Sequence, residues 1–218
     1  MNTRKILHTA CAALVMVAMT SCDEHREFPD TAMKTCDILC TDGKVVRYEE
    51  MESQGKKPIA VVFNINQSDE LPGTAYAVYL WDIEPAAFCD SIGAKQSTSA
   101  NPSAFDGNTN TYAMYASGVS PAANAVFDMW HYGQSAYIPS VAEMRLLYAA
   151  KETVNGYIQK CGGDVLPDNP DECWYWTSTE VSNMESAKAW LFSLASGALQ
   201  ETPKTEVHKV RPIITLYN

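Results

Sequence analysis

Apolar and polar positions change period several times along the chain. Ile59-Ala60-Val61-Val62-Phe63-Asn64-Ile65 is a β-branched apolar run of strand length. Pro72-Gly73 marks a turn, and Ala75–Trp81 is a second run of the same kind, so the two predict a hairpin. Residues 93–111 are rich in Ser, Thr, Asn and Gly and read as a long loop. Ser120-Pro121 then opens a helix, with Ser as N-cap and Pro at the first helical position. Ala122, Ala123, Val126, Phe127 and Trp130 form its apolar stripe, and Gly133 is a stop. Ser140 and Glu143 make a capping box ahead of a helix whose apolar face is Val141, Met144, Leu147 and Tyr148. A further short helix is expected at about 154–160, ending at Gly162-Gly163.

After a loop rich in Pro and Asp, Trp174–Thr179 and Ala189–Leu194 have strand composition. Ser196-Gly197 is a turn before a short return strand, and Val207–Leu216 supplies the last strand. Pro212 interrupts it and requires an edge or a bulge. Residues 22–57 show little periodicity and read as a polar tether, with one short strand near Lys44–Tyr48. The domain is expected over 58–218.

The first 21 residues follow a different logic. Arg4 and Lys5 precede a mostly apolar stretch from Ile6 to Met19, which is too short to span a bilayer comfortably. That order is the layout of a secretory signal. Met19-Thr20-Ser21-Cys22 resembles a lipobox, the cleavage and lipidation site of bacterial lipoproteins. Small residues fit a narrow peptidase site, and the Cys22 thiol takes the lipid. The resemblance implies attachment to a membrane through acyl chains, at about 0.8 kcal/mol per buried CH₂. Asp23 and Glu24 have two readings, a surface-export signal or a solvated linker. The expected location is the cell envelope, as an outer-membrane lipoprotein exposed at the surface.

Charge narrows the partners. There are 16 basic against 26 acidic residues, a net charge of −10, and the two basic residues of the leader add nothing to the mature part. Such a chain repels phosphate backbones, so no nucleic-acid partner is expected. Of seven cysteines, Cys11 leaves with the leader and Cys22 is the lipid site. Cys36, Cys40, Cys89, Cys161 and Cys173 remain, an odd number for an oxidising compartment. Cys161 and Cys173 flank one loop and are a candidate disulfide, although spacing does not fix connectivity.

The later segments carry an ordered resemblance. Phe105-Asp106-Gly107-Asn108-Thr109-Asn110-Thr111 comes first, followed by the Ser120–Trp130 helix and Tyr137-Ile138-Pro139-Ser140-Val141-Ala142-Glu143-Met144. Then come Val154-Asn155-Gly156, Gly162-Gly163, Trp174-Tyr175-Trp176-Thr177-Ser178-Thr179-Glu180, Trp190 and Val210-Arg211-Pro212-Ile213. Over roughly 58–217 this set resembles the bacterial domains related to the C-terminal domain of the Legionella collagen-like adhesin. Tyr137 stands where that family has Trp, and Thr177 where it has Ser. The resemblance implies an α+β, C-type-lectin-like fold. That fold has two or three short helices beside twisted antiparallel sheets, with its first and last strands together. It also implies binding and adhesion rather than catalysis, though fold alone does not fix a ligand.

Catalytic chemistry is sparse. Glu50 stands where a phosphate loop ending at Gly55-Lys56 needs glycine, and no Gly-x-Ser-x-Gly elbow occurs. His131 and His208 are expected at the solvent-facing surface. No enzyme activity, metal centre or cofactor is expected. A calcium role for carboxylates such as Asp168 and Asp171 stays conceivable. The formylglycine-generating enzymes share a related fold, but their cysteine context is not matched at Cys161 and Cys173.

The expected function is a lipid-anchored binding module or adhesin for a glycan or protein ligand, and the alternative is a structural subunit of a surface assembly. Ligand contacts are expected on loops 93–118 and 180–188, at Asn108, Asn110, Asn183 and Glu185, together with Trp174 and Tyr175. Trp176 and Trp190 are expected in the core, and Arg211 as a structural arginine beside the last strand. Asp30-Thr31-Ala32 and Asp90-Ser91-Ile92 match a short O-glycosylation pattern, which makes Thr31 and Ser91 candidate acceptors.

Overall fold

A computed structural model describes residues 32–68, 71–129 and 136–217. The chain divides after Ala32, and every element below lies in the unit Met33–Asn218. In order these are β1 (Ile38–Cys40), β2 (Val45–Val46), α1 (Tyr48–Ser53), β3 (Pro58–Ile65), β4 (Ala75–Tyr79) and β5 (Ile83–Ala87). Then come α2 (Gly107–Ala116), α3 (Pro121–Phe127), α4 (Val141–Lys160), β6 (Trp174–Glu180), β7 (Lys188–Ser193), β8 (Leu199–Pro203), β9 (Val207–Val210) and β10 (Ile213–Leu216). Cys22, Thr31, Trp130, His131 and Gly133 lie outside the described residues.

The architecture is α+β, with two five-stranded sheets. The first has the order β10-β4-β3-β1-β2 and is antiparallel throughout. The expected β3–β4 hairpin is present, with Val61 opposite Val78 and a bulge between Val62 and Asn64. Alternate residues of β3 enter different apolar clusters. Ala60 and Val62 join one with Trp176, Leu191 and Met114, while Val61 and Phe63 join the other with Met144, Leu147 and Ile158. Both faces are therefore covered, which is why β3 reads as a continuous apolar run instead of alternating. The second sheet has the order β5-β9-β6-β7-β8, and only its β6–β9 pair, through Tyr175 and Lys209, is parallel.

Four sequence expectations are corrected. The tether reading of 22–57 fails from Met33 onward, because β1 pairs with β3 inside the first sheet and Met51 of α1 is buried. Val45-Val46 falls within the strand expected near Lys44–Tyr48 and pairs with the nearby β1, whereas Ile38-Leu39-Cys40 is completed by β3, with Ile38 opposite Val61, so no local period marks it. Residues 107–111 are not loop but the first half of α2. The two helices expected after Pro139 are one helix of 20 residues, α4, making four helices among the described residues. Val141, Met144, Leu147, Lys151, Val154 and Ile158 form an unbroken buried stripe, and its packing outweighs the roughly 1 kcal/mol that Gly156 costs inside a helix. Finally, β3 and β10 share a sheet but do not touch, since β4 lies between them.

The capping box holds as expected. Ser140 Oγ accepts the Glu143 N–H at 3.3 Å, and Glu143 Oε2 accepts the Ser140 N–H at 2.7 Å. Ser140 Oγ also donates to the Ala104 carbonyl at 2.8 Å, anchoring the loop ahead of α2. Ser120 caps α3 through the Ala123 N–H at 3.2 Å.

Arg211-Pro212 is where the chain crosses from the second sheet to the first. Pro212 interrupts the ladder there, while its carbonyl accepts the Tyr79 N–H at 3.0 Å. Arg211 is 1 % exposed. Its Nη1 donates to the carbonyls of Tyr79, Leu80 and Asp164 at 3.2, 3.2 and 2.9 Å, and its Nε to Asp82 Oδ1 at 2.5 Å. The guanidinium thus serves a structural role, as its place beside the last strand suggested. No helix among the described residues is long and apolar enough to cross a membrane.

Candidate functional site

The two polar segments expected to vary in shape meet in space. Gly93 donates its N–H to the Ser186 carbonyl at 2.8 Å, and Glu180 donates to the Ser99 carbonyl at 3.3 Å. Lys95 Nζ lies 3.4 Å from Glu185 Oε2. Backbone N–H groups of Glu185 and Asn183 surround the Glu185 carboxylate and hold it below the ordinary range, with Lys95 adding to the effect. Asn183 sits at φ 65°, a left-handed position that asparagine tolerates, and turns the chain between β6 and β7.

Beneath these loops is a buried polar clamp. Lys204 is 0 % and Glu180 1 % exposed. The Lys204 amine donates to Glu180 Oε1, to Gln96 Oε1 and, at 2.5 Å, to the Glu185 carbonyl. Glu180 Oε1 also accepts the Gln96 N–H at 3.0 Å. Three donors therefore meet three acceptors, so the charge is paired and hydrogen-bonded as burial demands. The amine lies 5.2 Å from the centre of the Phe88 ring, which supports it from the apolar side. One side chain thereby fixes the 93–99 loop, the β6–β7 turn and the β8–β9 turn to one another.

Helix α2 forms the adjoining wall. Gly107, Asn110, Thr111 and Met114 face inward. Thr111 Oγ1 donates to the Gly107 carbonyl at 2.8 Å and accepts the Ile138 N–H at 2.9 Å. Asn108, Tyr112 and Tyr115 follow at intervals of four and three residues, and all three are exposed, so they share one outer face. Tyr112 is 64 % and Tyr115 44 % exposed. Tyr115 stacks on Phe127 with ring centres 3.9 Å apart and planes within 8°. A groove of about 510 Å³ runs between this helix and the loop. Ala94, Lys95, Gln96 and Ser97 line one side, and Ala113, Ala116, Ser117 and Val119 the other.

The residues expected to contact a ligand divide. Asn108 and Asn183 are exposed, and Glu185 meets Lys95 at the rim of the groove. Asn110 is buried, at 2 % exposed. Its Oδ1 accepts the Ser99 N–H at 2.9 Å, and its Nδ2 donates to Asp106 Oδ1 at 2.7 Å. Burial pushes the Asp106 carboxyl up, opposed by hydrogen bonds from Ser99 and Asn110. Tyr175 is likewise buried, its hydroxyl donating to Asp82 Oδ2 at 3.0 Å. It lines a different cavity of about 440 Å³, shared with Asp82, Asp164 and Lys209. Trp174 is half-buried against one apolar cluster.

Other assignments change as well. Trp176 is fully buried as expected, but Trp190 is only half-buried. Cys161 and Cys173 are both free, so the candidate bridge is absent. Cys173 Sγ lies 3.1 Å from Ser193 Oγ, and burial pushes the Cys161 thiol up to about 11. His208 is half-buried, edge-on to Trp176 at 5.2 Å, rather than free in solvent. Asp168 is taken by Lys151, and among the described residues no three His, Cys, Asp or Glu side chains gather as metal ligands. Ser91 is exposed, which meets the physical requirement for a glycosylated hydroxyl.

Sequence reading missed Tyr112, Tyr115 and the Lys204 clamp. Treating 107–116 as helix reveals the two tyrosines at once, since they fall on one stripe with Asn108. The clamp joins Gln96 to Lys204 across 108 positions, and no local pattern announces it. Compared with protein-family models and with curated proteins, the chain finds no match in either.

Proposed function

We propose that the chain is a lipid-anchored binding module of the bacterial cell envelope that takes a glycan on the outer face of α2. The observation that carries the reading is the exposed Asn108–Tyr112–Tyr115 row of α2 beside the groove, whose facing loop is clamped from below by Lys204. Tyrosine rings offer flat apolar faces for the C–H faces of sugar rings, and an amide supplies both a donor and an acceptor for hydroxyls. Lys95 and Glu185 extend the polar rim. Rigid support limits the entropy lost on binding. The two-sheet α+β architecture is compatible with a C-type-lectin-like domain, and the lipobox-like Met19–Cys22 segment supplies the anchor.

A glycan array probed with the purified folded chain tests the reading. An enriched glycan should lose affinity at least about tenfold on Tyr112→Ala, roughly 1.4 kcal/mol, with the melting temperature unchanged. Tyr115→Ala should weaken binding too, with a small stability loss from the broken ring stack. An array without enrichment, while a surface pull-down recovers a protein, would replace the glycan with a protein ligand. For the anchor, Cys22→Ala should abolish incorporation of labelled fatty acid and release the chain from membranes. Continued lipid labelling in that variant would refute it.

A further inference from the structure

We propose that Lys204 and Gln96 become joined by an intramolecular amide bond, formed by the protein itself with Glu180 as proton carrier. The inference is independent of any ligand on the surface above.

The geometry places a nucleophile, an electrophile and a proton acceptor together in a dry site. Lys204 is 0 %, and Gln96 and Glu180 are each 1 % exposed. The Lys204 amine touches the side-chain carbonyl oxygen of Gln96 and a carboxylate oxygen of Glu180 at the same time. The carbon to be attacked is one bond away from the oxygen already in contact. Attack requires the carboxamide to turn so that the amine lies over that carbon, and holding the two groups in contact beforehand removes much of the entropic barrier. The Gln96 carboxamide is held from its other end, where Nε2 donates to Cys89 Sγ at 3.1 Å and to the Ala94 carbonyl at 3.2 Å. Gln96 is also part of the groove wall, which gives the leaving group a way out.

The step balances without an oxidant or a co-reactant. One proton passes from the Lys204 ammonium to the Glu180 carboxylate, leaving a neutral amine. The amine lone pair bonds to Cδ of Gln96, and Cδ–Nε2 breaks. Glu180 returns its proton to the departing nitrogen, and a second proton follows from the attacking nitrogen by the same carboxylate. An ammonium side chain and a carboxamide become a secondary amide and an ammonium ion, and Glu180 ends as a carboxylate. Cys89 is the competing nucleophile, which would give a thioester with the same loss of ammonia. Its sulfur, however, faces the amide nitrogen rather than the carbonyl.

Peptide mapping by mass spectrometry of the purified full chain tests the proposal. The expected product is a branched peptide joining the Gln96 and Lys204 segments. Its mass should be that of the two linear peptides less one ammonia, and it should survive hydroxylamine, which cleaves thioesters. Cys89→Ser should keep the link. Glu180→Gln should form it about 100-fold more slowly, the usual range for loss of a proton-transfer group. Full recovery of both linear peptides from folded wild-type chain overturns the proposal, whatever the variants do. So does a link that hydroxylamine cleaves, or one that persists in Lys204→Arg. Unchanged link formation in Glu180→Gln removes the role given to that carboxylate.

Discussion

The side-chain carbonyl of Asn110 accepts the backbone N–H of Ser99 at 2.9 Å, which ties the polar loop to the inner face of α2. Two residues away, Asn108 is exposed. The two asparagines therefore have opposite roles despite near-identical sequence context. Asn110→Ala should cost about 1–3 kcal/mol, because a partly buried N–H loses its acceptor and Asp106 loses a donor. Asn108→Ala should stay within about 0.5 kcal/mol. Urea denaturation of both variants measures the difference, and equal midpoints would remove the loop-anchoring role from Asn110.

The tryptophans divide in the same way. Trp176 is 0 % exposed, stands edge-on to Phe88 with ring centres 5.6 Å apart, and donates from Nε1 to the Ala86 carbonyl at 3.0 Å. Trp176→Ala should cost about 3–5 kcal/mol, the range for deleting a buried aromatic. Trp190 lies on the opposite pleat of β7 from Ala189 and Leu191 and keeps part of its ring in solvent. Its deletion should cost about 1–2 kcal/mol, in proportion to the smaller area withdrawn from water. Chemical denaturation giving Trp190→Ala the larger loss would reverse the assignment.

Local signals in the sequence were legible where one segment carried its own reason to fold. The β3–β4 hairpin, the Ser120 cap and the Ser140–Glu143 capping box each depend on neighbours within a few residues. Elements completed from a distance were not. β1 is three residues long and is defined by its pairing with β2 and β3. Helix α2 buries Asn110 and Thr111 rather than an apolar stripe, so its composition imitates a loop. The candidate surface was half legible: its loops follow from polar composition, while its tyrosines depend on the helix that composition concealed.

Two glycines make opposite predictions. Gly156 is exposed in the middle of α4, and a Cβ there would meet nothing within 4 Å. Gly156→Ala should stabilise the chain by about 1 kcal/mol, since alanine loses less backbone freedom on entering a helix. Gly107 is pressed against the capping box. A Cβ there would overlap the Glu143 carboxylate and come within 2.8 Å of the Ile138 carbonyl oxygen. Gly107→Ala should cost about 1–3 kcal/mol, as forced insertion into a packed site does. Thermal melts of the two variants should move in opposite directions, and a shared direction would contradict the packing around α2 or α4.

Glu143 gives the fold a dependence on pH. It is 1 % exposed, and burial pushes its carboxyl up to about 7, against hydrogen bonds from Ser140 and Gly107 that favour the ionised form. In the unfolded chain the group titrates near 4.3. Between those values the folded chain holds a proton that the unfolded chain has released. The associated stability is therefore complete below about 4.3 and is lost as pH rises through about 7, a change of roughly 4 kcal/mol. Asp106, also raised by burial, acts in the same direction. Urea midpoints should fall between about pH 5 and about pH 8 in the wild type, with a much smaller fall in Glu143→Gln. The glutamine can still accept from the Ser140 N–H but carries no charge to desolvate. A wild-type midpoint that rises over this range would mean that the Ser140 and Gly107 donors outweigh burial.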